Sequence, residues 1–248
     1  MKLDLYKKKA YEIRKDLFEK FYLLNEGHPG SVFSILDVLI VLYYGGFIRL
    51  RNNIPFDDLI ISKGHATVGQ YPILKMFGNN YIPGIKTATG SLGHGIGFAT
   101  GIGYFSKKEK IKKNVYVVIS EGELYEGSTW EALLLLADLK LDNVTIILDI
   151  NNNIILGNPK ECLNLGNIKK KFESFDISTK VCNAHNFKSL DSEFRKLIKI
   201  RKPKCLIVNS IKGKGFKIME NKAQWHYWNP ISKDQYAKSL QELEEIYE

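Results

Sequence analysis

A carboxylate and an amide, separated by one helix, form the most informative pair in this chain. Glu121 follows the apolar run 115–119, and Asn151 follows a second apolar run, 144–148. A doubly wound α/β sheet brings the residues that follow neighbouring strands to one crevice. Oxygen ligands of these two types suit a hard cation that neutralises a bound diphosphate. The spacing therefore predicts a metal and diphosphate site.

Four histidines stand beside glycine or in other turn-like contexts: His28, His65, His94 and His226. His28 and His65 fall at an expected loop-to-helix or strand-to-helix junction. A helix N-terminus there favours anionic ligands, and an imidazole can donate to phosphate or carry a proton. A lone histidine more often has a structural role. Each of the four can therefore be interpreted either as a structural group or as a group that binds phosphate or carries a proton.

The elements that must position these residues follow from the hydrophobic pattern. Apolar runs bounded by polar or glycine-containing turns alternate with helical periodicity, which is typical of a parallel sheet covered on both faces. We therefore predict an α/β fold of three layers around a mostly parallel sheet. The expected strands are 59–61, 115–119, 144–148 and 205–208, and the expected helices are 5–24, 32–44, 130–139, 187–200 and 234–247.

Length and composition limit the classes of protein to which the chain can belong. The chain has 248 residues, of which 44% are hydrophobic, enough for one large domain over 1–248 that ends in a helical tail. No apolar run could span a bilayer or serve as a signal peptide, which predicts a cytoplasmic protein with no membrane partner. Cys162, Cys182 and Cys205 have neither disulfide nor metal spacing, and we expect core or surface thiols.

The net charge of +9 permits attraction to anions, so nucleic acid is one class of partner to consider. The lysines, however, lie in short scattered groups such as 7–9, 107–108 and 169–171, without interleaved stacking aromatics. This pattern favours a solvated basic surface and no nucleic-acid partner.

The segment 90–103 carries six glycines in an otherwise apolar run. Each glycine in an exposed helix interior costs about 0.8–1 kcal/mol relative to alanine. Close approach of the backbone to a neighbouring helix or to a ligand would compensate for this cost. Helix packing alone is one explanation, but the start of the segment, 89–95, is polar and dense in glycine, which also indicates a ligand.

Taken together, these stretches resemble the diphosphate-binding half of a transketolase, a thiamine diphosphate enzyme. They stand in the family's order and spacing, so the resemblance is specific although any one stretch could occur by chance. The matching stretches are 27–31 (Gly-His-Pro-Gly-Ser), 62–66 (Ser-Lys-Gly-His-Ala), 89–93, 123–127 with 130–132, 140–143, and 212–215 followed by 219–221 and 225–226.

The resemblance implies a metal site. Glu121 stands where the family has a metal-binding aspartate, Asn151 matches the second side-chain ligand, and Asn153 would offer its backbone carbonyl. Diphosphate oxygens and a water would complete an octahedral Mg²⁺ site.

The resemblance also implies roles in binding thiamine diphosphate and substrate. Gly122 would contact the diphosphate, His65 and His226 would lie at the diphosphate and the substrate channel, and His28 would bind donor hydroxyls and assist proton transfer. The implied cofactor-binding set is His65, Gly90, Ser91, Leu92, Gly122, Glu123, Asn151, Ile155 and His226, with Gly90 and Leu92 on the aminopyrimidine and Ile155 on the thiazolium; the implied catalytic set is His28, His226 and His94.

The activity that the resemblance implies is transfer of a two-carbon ketol unit from a ketose, either a sugar phosphate or another sugar derivative, to an aldose. The cofactor supplies the carbanion chemistry, and the protein's histidines move the hydroxyl protons.

The sequence departs from the family's pattern at three positions. Glu121 reaches about one methylene further than the usual aspartate, so a structural or degenerate site is the alternative. Pro83-Gly84 is followed by Ile85, where most transketolases have a substrate-facing histidine. His94 replaces a usual glutamine and either substitutes in part for that histidine or caps a turn.

The chain ends at Glu248, where the family would continue into a pyrimidine-binding domain. We therefore expect the N-terminal subunit of a split transketolase. A separately encoded C-terminal subunit would supply the absent domain, and two such pairs would form a heterotetramer around a self-associated dimer core. The alternatives are a subunit of a 2-oxoacid dehydrogenase or deoxyxylulose-phosphate synthase type, and a non-catalytic binding protein of the same fold. The stretches 27–31 and 225–226 favour transketolase.

Overall fold

A parallel sheet forms the centre of the protein. The computed structural model describes residues 2–77, 90–154 and 157–247, and all statements about the fold concern these residues. Five parallel strands pair in the order β3-β4-β5-β7-β6, beside a two-stranded antiparallel ribbon of β1 and β2. The strands are β1 Leu50–Arg51, β2 Ile54–Pro55, β3 Asp58–Ile61, β4 Val115–Ser120, β5 Val144–Ile150, β6 Ser178–Asn183 and β7 Lys204–Asn209.

Helices connect and cover these strands. The α-helices are α1 Lys2–Leu24, α2 Pro29–Tyr44, α3 Tyr71–Met76, α4 Gly95–Lys108, α5 Gly127–Asp138, α6 Pro159–Cys162, α7 Ile168–Ser174, α8 Phe187–Leu197 and α9 Lys233–Tyr247. Three 3₁₀-helices, Gly64–Gln70, Glu121–Tyr125 and Ala223–His226, lie near strand ends or in connections. Among the described residues, no helix is long and apolar enough to cross a membrane.

The sheet is buried on both faces, as the continuous apolar runs predict. Alternate residues of β4 belong to separate cores: Tyr116 and Val118 pack with α1 and α2, whereas Val117 and Ile119 pack with α4 and α5. This confirms the predicted α/β architecture with helices on both faces. Cys182 and Cys205 are buried and Cys162 is exposed, which confirms the expectation of core and surface thiols.

The register of the sheet decides which residues meet. Ser120 of β4 is paired with Asp149 of β5, and Ile150 of β5 is paired with Asn209 of β7. The carboxyl ends of these strands therefore lie at one edge of the sheet, and the loops that follow them share a crevice.

The predicted elements are present and differ from the structure mainly at their ends, whereas the ribbon of β1 and β2, the edge strand β6 and the short helices α3, α6 and α7 were not predicted. The helix expected from residue 32 begins at Pro29, whose missing N–H suits the first helical turn. The helix expected over 187–200 ends at Leu197. Edge strand β6 was not predicted because its exposed and buried residues are mixed and it contains lysine and asparagine.

The glycines of α4 fall into two groups. A Cβ on Gly103 would overlap the side chain of Val144 in β5, and a Cβ on Gly95 would overlap Ser62. Gly97 and Gly101 face open space within the chain. Close packing on the sheet thus explains only part of the glycine content, and two glycines leave the outer face of α4 unusually flat.

Replacing Gly103 and Gly101 should have opposite effects on stability. Gly103→Ala should lower the free energy of unfolding by about 1–3 kcal/mol, because the new methyl group overpacks against β5. Gly101→Ala should raise it by about 0.8–1 kcal/mol through helix propensity alone. Urea denaturation of the purified chain measures both. Equal changes in the two variants would contradict the conclusion that Gly103 packs against β5 and Gly101 faces open space.

Candidate active site

Four loops meet at the carboxyl edge of the sheet. Each follows one strand, and together they carry six of the residues that the sequence predicts to be functional: His65, Glu121, Gly122, Glu123, Asn151 and Asn153. The loops are 62–65 after β3, 120–123 after β4, 151–153 after β5 and 210–212 after β7.

The predicted metal ligands lie together in two of these loops. The buried Glu121 carboxylate accepts a hydrogen bond from the Asn152 N–H (3.0 Å), and the Asn153 N–H donates to Asn151 Oδ1 (3.0 Å). Asn152 has a left-handed backbone (φ 54°), which asparagine tolerates better than most residues. The extra methylene of Glu121 therefore carries its carboxylate to the neighbouring loop.

The donor set at this position is limited to oxygen atoms. Among the described residues, no three histidine, cysteine, aspartate or glutamate side chains are grouped so that they could hold a metal ion. A carboxylate, an amide oxygen and a backbone carbonyl are hard ligands of the kind that Mg²⁺ takes when an anionic ligand completes its coordination. The chemistry of Glu121, Asn151 and Asn153 fits such an ion.

A buried ion pair lies directly behind these loops. Lys63 Nζ is 2.5 Å from Asp149 Oδ2, and both side chains are almost completely buried. Ser34 donates to the same oxygen (2.9 Å), and Ser210 donates to Asp149 Oδ1. Burial alone would raise the pKa of Asp149, but Lys63 and these donors hold it below its usual value. The sequence predicted no role for Lys63 or Asp149. A charged residue such as Asp149 within a buried apolar strand needs an oppositely charged partner, and this signal could have indicated the ion pair.

A second buried lysine faces the crevice. Lys212 Nζ lies 3.4 Å from His226 Nδ1 and 3.5 Å from the Asn153 carbonyl. Burial, and after it the charge of Lys63, lowers the pKa of Lys212 to about 8. The lysine is therefore largely protonated at neutral pH and gives the crevice a positive charge. In the sequence, Lys212 lies in the stretch 212–215, which resembles the transketolase pattern, but no function was predicted for this lysine.

Three of the four candidate histidines form one cluster. The ring centroids of His28 and His65 are 4.8 Å apart, and His226 lies 5.4 Å from His28 and 5.5 Å from His65. The exposed ring of Tyr227 lies 4.2 Å from His28. These residues are far apart in sequence, and the fold brings them to one side of the crevice.

The environment keeps this cluster uncharged at neutral pH. Burial, followed by the charge of Lys63, lowers the pKa of His65 to about 3. Burial and then Lys212 lower the pKa of His226 to about 4, and the same two causes lower the pKa of His28. Neutral imidazoles can both accept and donate a proton, so the cluster is suited to proton transfer to and from hydroxyl groups.

Backbone hydrogen bonds fix the loop that carries His28. The Gly213 N–H donates to the Gly30 carbonyl (3.0 Å), and the Trp228 N–H donates to the Gly27 carbonyl (2.7 Å). The loops that bear Lys212 and His226 are thereby held against the N-terminus of α2, and the distances within the cluster are set by the main chain.

A second buried network supports the loop of Lys212. Arg14 Nη1 donates to Asp37 (2.7 Å), and its Nε donates to the Lys214 carbonyl (3.0 Å). His185 contacts Asp37 through Nδ1 (2.8 Å) and accepts the Ile211 N–H at Nε2 (2.8 Å). His185 therefore donates from Nδ1 and positions the loop. This fifth histidine was not among the candidates from the sequence, since it stands in none of the matching stretches.

The glycine-rich start of α4 lies beside the crevice. Gly122 has no side chain, and a Cβ there would be 3.7 Å from Ile154 and 3.9 Å from Leu92. The apolar side chains of Leu92 and Ile154 thus lie close to Gly122, which follows Glu121. Gly90 and Ser91 are exposed. Ile155 and the departure at 83–85 lie outside the described residues.

Two further predicted site residues are Glu123 and His94, and Glu123 is the first. Its side chain is fully buried: one oxygen accepts from Ser62 and the Gly93 N–H, and the other accepts from the Ser120 N–H and hydroxyl. The carboxylate thus connects three loops by hydrogen bonds, and the role of Glu123 in cofactor binding stays a prediction.

His94 is the second of these residues. It is exposed at the N-cap of α4, its side chain makes no capping hydrogen bond, and it lies outside the three-histidine cluster. The alternative in which His94 caps a turn through its side chain is therefore not observed.

Comparison with known proteins defines the class to which this fold and site belong. The family model "Transketolase, thiamine diphosphate binding domain" matches residues 79–243. The crystal structure of transketolase from Campylobacter jejuni superposes with a TM-score of 0.83 at 25% identity, over 98% of this chain and 43% of that one. The structure is thus a thiamine diphosphate-binding α/β fold.

The chain belongs to the transketolase family, a family of transferases, and corresponds to its N-terminal, diphosphate-binding part. It is 32% identical to an apulose-4-phosphate transketolase subunit of Actinobacillus succinogenes, over 98% of this chain and 97% of the relative. It is 31% identical to the subunit of the same name from Phocaeicola vulgatus, over 95% and 92%. These relatives are subunits of split transketolases, and they do not favour the alternative enzyme classes.

Breaking the buried ion pair should cost more stability than removing it entirely. Lys63→Met leaves the Asp149 carboxylate buried without its cation, and we expect a loss of about 3–5 kcal/mol in the free energy of unfolding. The double variant Lys63→Met/Asp149→Leu should lose less, because no uncompensated charge stays in the interior. Urea denaturation at pH 7 compares the two, and a single variant as stable as the double one would show that the pair is not desolvated.

Proposed function

We propose that this chain is the diphosphate-binding subunit of a two-component transketolase, which uses thiamine diphosphate and Mg²⁺ to move a ketol unit from a ketose to an aldose. One observation carries the proposal. The oxygen ligands Glu121, Asn151 and Asn153, the cation of Lys212 and three neutral histidines converge at the carboxyl edge of one parallel sheet.

Each group has a chemical task in this proposal. Glu121, Asn151 and the Asn153 carbonyl would hold Mg²⁺, and Lys212 with His65 would bind the diphosphate. The apolar side chains of Leu92 and Ile154 beside Gly122 would contact the less polar part of the cofactor. When bound, the cofactor supplies a carbanion that adds to a ketose carbonyl.

The histidines would move protons between sugar hydroxyls. Cleavage of the ketose requires that one hydroxyl lose a proton, and formation of the product ketose returns it. His28 and His226 are neutral at pH 7 and their rings lie 5.4 Å apart, so either can accept such a proton while the other hydrogen-bonds the sugar. The positive charge of Lys212 nearby disfavours a lasting imidazolium and would promote return of the proton.

The proposed substrates are small sugars, with a phosphorylated or otherwise anionic ketose as donor or product. The names of the Actinobacillus and Phocaeicola relatives support this class, since both refer to a phosphorylated sugar. The particular sugar would depend on residues of the partner as well as on the exposed mouth of the His28 cluster.

The proposed partner is a separately encoded subunit that carries the pyrimidine domain. The chain spans 43% of the one-chain Campylobacter transketolase, whereas the two apulose-4-phosphate transketolase subunits are of similar length to this chain. Helices α4 and α5 expose apolar side chains, including Phe98, Phe105, Leu134 and Leu135, at 46–58% of their surface. Together with the flat glycine face of α4, this surface is suited to docking the partner or a second copy, in a heterotetramer of two pairs.

The function is tested by assaying ketol transfer with and without a partner. This chain should be co-expressed with a separately encoded pyrimidine-domain subunit from the same genome, and aldose release from phosphorylated ketoses measured with thiamine diphosphate and Mg²⁺. We expect turnover from the complex and none from the isolated chain. Substantial turnover by the isolated chain would refute the two-component proposal.

Loss of the Glu121 carboxylate should weaken metal-dependent cofactor binding. Glu121→Ala removes the charged ligand, and we expect at least a roughly tenfold loss of affinity for thiamine diphosphate in the presence of Mg²⁺. The control Glu19→Ala removes an exposed carboxylate on α1 and should leave the affinity unchanged. Calorimetric titration of the complex measures both, and an unchanged affinity in Glu121→Ala would exclude Glu121 from the metal site.

Cofactor affinity should fall as the pH rises through 8. The pKa of Lys212 is lowered to about 8, so this lysine loses its charge above that pH, and a bound diphosphate favours the protonated form. Titrations from about pH 6.5 to 9.5 should show affinity falling by up to about tenfold per pH unit above 8. Lys212→Met should bind weakly without this dependence. A wild-type affinity that stays constant across this range would contradict the role of Lys212.

A further inference from the structure

Basic residues that are scattered in the sequence converge at the opposite edge of the sheet. There they line a cleft of about 560 Å³, a volume within the usual range of ligand sites. Seven of its lining side chains are cationic and one, Asp142, is a carboxylate. The cations are Arg49, Lys107, Lys110, Lys112, Lys113, Arg201 and Lys204.

The cleft is separate from the candidate active site. Tyr116, Thr145 and Lys204, at the amino ends of β4, β5 and β7, form part of its lining. From Thr145 to Asp149, strand β5 covers about 13 Å at the usual rise per residue. A ligand in the cleft would therefore touch none of the residues that face the crevice at the carboxyl edge.

Carboxylates neutralise only some of these cations. Arg49 forms two hydrogen bonds with the buried Asp57 (2.8 and 2.6 Å), Lys113 lies 3.0 Å from Asp58, and Lys107 lies 3.2 Å from Asp142. In the part of the chain that the structure describes, the remaining four make no ion pair; they are Lys110, Lys112, Arg201 and Lys204.

Lys204 is the buried cation of the cleft. Its side chain is buried and donates to the carbonyls of Asp142 and Ile200. Burial lowers the pKa of Lys204 to about 8; Asp142 opposes this shift and the charge of Arg201 adds to it. Lys204 and Arg201 line the same cleft, so both cations are positioned to contact an anion there.

The cleft also offers an apolar surface. Ile111 and Ile198 line it, and each exposes at least 40% of its side chain. Cations near helix C-termini are expected from the helix dipole, which accounts for Lys107 at the end of α4. It does not account for Lys112, beyond the last turn of α4, or for Lys204, at the start of a strand. The cleft thus combines phosphate-binding groups with a surface for a flat ring.

We propose that this cleft binds a nucleoside polyphosphate, with the phosphates on Lys112, Arg201 and Lys204 and the base against Ile111 and Ile198. The four lining cations that make no ion pair with a described residue favour several phosphate groups over one. The limited volume and the two isoleucines favour a single nucleotide over a long polymer. This proposal is independent of the transketolase chemistry proposed above.

The test measures ATP binding to the full-length chain by calorimetry, with thiamine diphosphate and Mg²⁺ present at saturation. Lys112→Gln/Arg201→Gln removes two exposed cations of the cleft. Lys108→Gln/Lys199→Gln removes two exposed lysines close by in sequence that do not line the cleft, and changes the net charge equally. We expect the first variant to lose at least about tenfold in affinity for ATP and the second less than about twofold.

Several results would overturn the proposal. These are equal losses in the two variants, no saturable binding of ATP at millimolar concentration, or binding of ATP only when thiamine diphosphate is omitted. Adenosine and a single-stranded oligonucleotide are measured in parallel. Adenosine should bind much more weakly than ATP, and an oligonucleotide that binds more tightly than ATP and depends on the same two residues would assign the cleft to nucleic acid instead.

Discussion

The buried pair of Lys63 and Asp149 is the interaction on which the candidate site depends. A charge in the protein interior is tolerated only when its partners are complete, and here Ser34 and Ser210 supply the remaining hydrogen bonds. These four residues come from β5, α2 and the loops after β3 and β7. One network therefore fixes the relative positions of the elements that carry the metal ligands, the second lysine and the histidines. Any shift of one loop would leave a buried polar group without its partner.

The same network sets the electrostatics of the crevice. Lys63 is neutralised locally by Asp149, yet its charge still contributes to the lowered pKa values of Lys212 and His65. The result is a crevice with a positive charge and uncharged imidazoles. This combination suits a ligand that is strongly anionic at one end and must exchange protons at the other, as a cofactor diphosphate and a sugar would require together. At the opposite edge the cations are mostly exposed, so salt should screen them more strongly.

Sequence alone determined the class of fold and much of the site. Apolar runs separated by helical periodicity are local signals, and they were sufficient to predict the parallel sheet and the meeting of Glu121 with Asn151. Short motifs identified His28, His65 and His226, which the structure brings into one cluster. The mixed pattern of β6 gave no such signal, since an edge strand needs only one protected face.

Only the tertiary structure decided which partners those residues have. Lys63 pairs with Asp149, and Arg49 and Lys204 line one cleft, although no local pattern links either pair. The buried role of Glu123 and the exposure of His94 were likewise set by packing around the start of α4. Local propensity depends on neighbours in the chain, whereas burial, pairing and pKa depend on neighbours in space. The sequence therefore identified the candidate functional residues, and the tertiary structure determined the pKa values and contacts that suit them to a function.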